Sequence, residues 1–89
     1  MLVKLIEVCV QDQRSSTREL YVNSTSIVSI SREIRPRVLE ETRSMGFSDL
    51  TAFSTIVINE GSSTRIITVA HSPDEIEKRI KSSKSLLKG

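Results

Sequence analysis

The chain has 89 residues, of which 37% are hydrophobic and 27% charged, the composition of one ordinary globular domain, 1–89, rather than of a disordered or membrane-spanning chain. A net charge of +2 falls short of the footprint of a dedicated nucleic-acid binder, so contact with nucleic acid is expected to be weak and confined to local patches. With a single cysteine, Cys9, no intrachain disulfide can form, and a cytoplasmic location is expected.

The first ten residues, "MLVKLIEVCV", are rich in Val, Leu and Ile and lack helical spacing, which predicts a strand. The run is interrupted by Lys4 and Glu7, too short to cross a bilayer, and without a signal-peptide cleavage site, so it is read as structure and no membrane partner is expected. Alternation puts Leu2, Ile6, Val8 and Val10 on one face and Val3, Leu5 and Cys9 on the other. Apolar residues on both faces predict an interior strand covered on both sides.

A polar turn is predicted over 11–17 and a second strand in "TRELYVN". "NSTS", residues 23–26, favours a turn or a single helical turn, because its side chains hydrogen-bond nearby backbone. "IVSISREI" predicts a third strand, and "TAFSTIVINE" and "STRIITVA" two more, joined by "EGSS" with a glycine where a hairpin turn needs one. Between them, residues 31–52 form an insertion, read as irregular or as a short helix. Pro36 blocks a strand there, "RVLEETRSM" contains good helix formers, and Gly46 marks a stop.

The last element starts at "HSPDEIEKRI". Ser72 is placed as the cap, Pro73 suits the first helical position, and Glu75 completes a capping-box pattern, which predicts a helix over about 72–87. Ile76, Ile80 and Leu87 mark its apolar stripe, so docking by the first two turns is expected. The fold class expected is α+β, a small antiparallel sheet or partly open barrel of about five strands with a C-terminal helix. One helix covers one face at most. The other face then requires curling of the sheet or a second chain, which makes a homo-oligomer an expectation.

The chemistry-bearing residues are sparse. His71, the only histidine, reads as a strand-end residue bonded locally, and Cys9 lies in an apolar strand where a thiol is ordinarily inert. No metal-ligand set, phosphate-cradling glycine loop or nucleophile–base pair is visible, so no catalytic, metal or cofactor-binding residue is assigned and a non-enzymatic protein is expected. Basic residues at the end of the last helix have a dipole explanation. Arg32, Arg35, Arg37 and Arg43 flank the insertion and are the candidate binding residues, since a guanidinium suits bidentate recognition of carboxylate or phosphate. Glu33, Glu40 and Glu41 lie close enough in sequence to neutralise them.

In pattern, "LVKLIEV", "ELYVNSTSIVSI", "STIVI" and "RIITVAHSPDEIEKRI" resemble the very short bacterial and phage proteins typified by the flagellar FlbD (SwrD) family. The resemblance covers roughly two thirds of the chain and implies a small cytoplasmic accessory protein without catalytic residues. Departures are a longer first turn, no glycine-rich first hairpin, and the insertion, taken here as Ser31 to Ala52. The function expected is a binding module that regulates, inhibits or helps assemble a larger protein through a sheet face, a strand edge or the insertion. The alternative is a small β-barrel binding nucleic acid or a nucleotide through the arginine-rich loop.

Overall fold

A computed structural model describes the backbone of residues 2–10 and 15–88 and the side chains of 2–10 and 15–82. Of the turn predicted over 11–17, residues 11–14 lie outside this range. Each β-branched run becomes a strand. The elements are β1 (Leu2–Cys9), β2 (Ser16–Asn23), a 3-10 turn (Ser24–Ser26), β3 (Ile27–Arg32), α1 (Pro36–Ser44), β4 (Ser54–Asn59), β5 (Thr64–Val69) and α2 (Pro73–Lys88).

All five strands join one antiparallel sheet in the order β2-β1-β5-β4-β3. The edges, β2 and β3, are consecutive in sequence and separated only by the 3-10 turn. In a flat sheet four inter-strand steps would hold these edges roughly 19 Å apart, whereas the four Cα–Cα steps across the three-residue turn span at most about 14 Å. The sheet must therefore curl until its edges approach at that end. The turn itself is local chemistry: the Asn23 carboxamide oxygen accepts from the Thr25 backbone N–H at 3.1 Å and from its hydroxyl at 2.9 Å. At the β4–β5 hairpin Gly61 takes φ +89°, and the Glu60 N–H donates to the Ser63 carbonyl at 2.9 Å.

Residues directly opposite in a ladder share a face, so the register sorts the apolar side chains. Val3 pairs with Val22, Leu5 with Leu20, Ile56 with Ile67 and with Ile30, and Ile58 with Ile27. These positions and Val69 form the concave face, whose buried core is completed by Ile76 of α2. Curling lets one helix close that face, because α2 touches both β1 and β3 as it crosses. Ile80 packs beside Ile76 as the stripe predicted; Leu87 lies outside the described side chains.

The start of α2 follows the capping pattern by half. Ser72 Oγ accepts from the Glu75 N–H at 3.1 Å, and the Ser72 carbonyl accepts from the Ile76 N–H at 3.1 Å. The Glu75 carboxylate turns instead to the His71 ring and to Arg79. Ser72→Ala is expected to lower stability by about 1 kcal/mol, through loss of the partner for the Glu75 N–H. Urea melts of the two forms measure it, and an unchanged midpoint would mean that the hydroxyl does not cap.

The convex face is covered in part by the chain's own insertion. The Glu33 N–H donates to the Phe53 carbonyl at 2.9 Å, so the excursion leaves and rejoins the sheet across adjacent strands. Within it the helical reading holds: Pro36 occupies the first turn of α1, and Gly46, at φ +95°, follows its end. Buried Val38 of α1 lines one cleft with buried Val8 of β1. This explains why β1 is apolar on both faces, and the strand is interior, between β2 and β5. The cover stops short of its start, where Leu2 is exposed.

Candidate functional site

The insertion stands on an ion pair whose carboxylate is buried. Glu33 directly follows β3, with its side chain only 1% exposed and saturated with donors. Arg35 gives Oε1 a bond from Nη2 at 2.7 Å and gives Oε2 bonds from Nε at 2.9 Å and from its backbone N–H at 3.1 Å. The hydroxyls of Thr55 on β4 and Thr68 on β5 each donate to Oε1 at 3.1 Å. The Arg35 guanidinium, with help from its backbone N–H and the two hydroxyls, holds the Glu33 carboxyl down to about 2 against the opposing effect of burial.

Above this footing the excursion forms a groove of about 370 Å³. Its apolar lining is Ile34, Leu39, Ala52 and Phe53, with Arg32 at the end of β3 and Arg43 on α1 among its walls. Phe53 is buried and meets Phe47 edge to face at 5.2 Å between ring centroids, which pins the returning chain. Two large apolar side chains of this segment are turned to solvent instead, Ile34 at 77% and Leu50 at 94% exposure. So short a segment has nothing left to bury them with.

The structure thus divides the four sequence-predicted arginines. Arg35 is committed to Glu33, although its side chain remains 57% exposed. Arg37 lies on the other side of α1, in the cleft shared with Cys9, Val38 and Glu41. Arg32 and Arg43 are brought together by the groove. Arg43 lies 3.5 Å from the exposed Asp49 carboxylate, a contact of little energetic weight between solvated groups. The Arg32 side chain makes no hydrogen bond or ion pair among the described residues.

Ile34 and Leu50 were not singled out from sequence. The available signal was that each stands among polar neighbours, out of step with the strand and helix periods on either side.

Other candidates are accounted for structurally. His71 is buried and bonded locally, with Nε2 accepting from the Ile6 N–H at 3.0 Å and Nδ1 meeting Glu75 Oε2 at 3.0 Å. Both ring nitrogens are thereby engaged, and neither is left to act on Cys9. Glu41 accepts from the Ser15 hydroxyl at 3.0 Å, while Glu40 is exposed. On α2, Lys81 pairs with Glu77 at 2.9 Å; the side chains of Lys84 and Lys88 lie outside the described residues. Among the described residues no group of three His, Cys, Asp or Glu side chains is placed to hold a metal ion, and no helix is long and apolar enough to cross a membrane.

A scan against protein-family models, a search of curated proteins and a search of solved structures each found no match.

Proposed function

We propose that the chain is a non-enzymatic binding module that regulates, inhibits or helps assemble a larger protein, and that it does so through the groove of its insertion. The observation that supports this reading is exposed Ile34 on a groove walled by Arg32 and Arg43, in a segment that leaves Leu50 in water as well. Apolar side chains left in water beside a concave surface are suited to desolvation by a partner. A cytoplasmic setting and the accessory role implied by the likeness to the FlbD (SwrD) family belong to the same proposal.

A photoreactive amino acid placed at Ile34 is expected to cross-link one defined larger protein in the host cell, while the same group at Ser62, on the remote hairpin, does not. Labelling of the same protein from both positions, or of none from Ile34, would overturn the assignment.

Self-association is a second reading, supported by a different surface. On the convex face exposed Ile66 of β5, at the border of the cleft beside α1, pairs directly with half-buried Val57 of β4. Light scattering at micromolar concentration is expected to give a homodimer or larger species that Ile66→Lys dissociates. A 10.0 kDa mass independent of concentration would remove the homo-oligomer.

A further inference from the structure

The groove contains more than an apolar lining, and the charges around it are unequal in availability. Glu33 and Arg35 neutralise each other beneath it, through the bonds already described. Arg43 shares its field with Asp49 at 3.5 Å. Arg32, exposed at the last position of β3, has its guanidinium without a protein partner among the described residues. Its backbone is fixed by the β3–β4 ladder, opposite Ser54. A rigidly based, unpaired guanidinium beside an apolar cleft presents a fork of N–H donors that fits a carboxylate in bidentate fashion.

We propose that the groove takes a segment of the larger partner protein in which a carboxylate stands next to an apolar side chain, and that Arg32 is the residue that selects the acid. The apolar side chain enters against Leu39, Ala52 and Phe53, with Ile34 folding over it from the rim. The carboxylate meets Arg32. This inference rests on the reading of the groove as a protein-binding site and specifies what it binds.

Nucleic acid fits the same surface poorly. Phe53 is buried and edge-on to Phe47, so the groove offers no open aromatic face for a base to stack on.

The probe is a phage-displayed library of random dodecapeptides selected on the full chain, with winners resynthesised and titrated by fluorescence anisotropy. Enriched peptides are expected to contain Asp or Glu within two positions of a large apolar residue. Arg32→Glu is expected to weaken them tenfold or more while leaving the thermal melt unchanged. A peptide with its acid replaced by lysine should then bind the Arg32→Glu protein better than the wild type, a rescue that no folding defect produces.

Peptides that lose binding with Ile34→Asp, yet show no acidic preference and ignore Arg32→Glu, would overturn the carboxylate inference and leave the binding-module reading standing. A selection that yields no peptide dependent on Ile34 would overturn both. Labelled single- and double-stranded oligonucleotides are titrated in the same assay. Oligonucleotide binding lost in Arg32→Glu, without peptide binding, would assign the groove to nucleic acid and overturn the proposal. A dimer that falls to monomer with Ile34→Asp would make a second copy of this chain the occupant, and would overturn it equally.

Discussion

Glu33→Gln is expected to lower stability by about 3 kcal/mol at pH 7, and to remove much of the chain's sensitivity to acid. The carboxyl sits at about 2 in the folded chain, against 4.5 ordinarily, and a difference of that size corresponds to about 3 kcal/mol favouring the folded state when the group is ionised. Because the folded value is the lower one, this contribution is fully present above about pH 4.5 and is lost as pH falls toward 2. Glutamine resembles the protonated acid in charge but cannot satisfy both Arg35 and the Thr55 and Thr68 hydroxyls as an acceptor. Urea melts at pH 7, 5, 3 and 2 should therefore show a wide gap between the proteins at neutral pH that closes in acid. Parallel pH profiles would show that other carboxylates govern the acid limb.

His71→Phe should be nearly as damaging, at about 2–4 kcal/mol, although it retains an aromatic ring at a buried position. The Ile6 N–H donates to Nε2 at 3.0 Å, which places the ring proton on Nδ1, where it is directed at Glu75 Oε2 3.0 Å away. The residue's carbonyl accepts from the buried Ser54 hydroxyl at 2.6 Å, and its neighbour Ala70 donates to the Ile6 carbonyl at 2.9 Å. One residue thus ties the end of β5 to β1, β4 and α2. Phenylalanine leaves the Ile6 N–H without its partner and Glu75 Oε2 without the ring, so the Ile6 amide should exchange its hydrogen faster than its neighbours on β1. Unchanged exchange at Ile6 would mean that the ring bond does not support the ladder.

What was legible in the sequence was what is determined locally. The β4–β5 hairpin followed from β-branched runs around Gly61, the 3-10 turn from the self-bonding side chains of "NSTS", and α2 from Ser72 and Pro73. The strand order was not legible, because pairing of β1 with β5 depends on residues some sixty positions apart and has no local signature. The surplus of apolar residues on β1 was visible, but its solution was not. That solution joins a curl forced by a three-residue connection to a helix folded back from the insertion.

The site was only half legible for the same reason. Four arginines could be counted, but the one taken up by Glu33 and the two facing a common groove are distinguished by chain reversal across Thr55 and Thr68, not by spacing.

The bond from the Glu33 N–H to the Phe53 carbonyl also bears on how such a chain changes over generations. A detour whose two feet stand on neighbouring strands can lengthen at little thermodynamic cost, since doubling a loop adds only about 0.6 kcal/mol of closure entropy. The ladders beneath it keep their register whatever its tip contains. Substitutions at Ile34 and Leu50 touch no part of the core, so these positions are free to drift without first being buffered by stabilising changes elsewhere. Within 89 residues the fold is thus nearly indifferent to what these two positions carry.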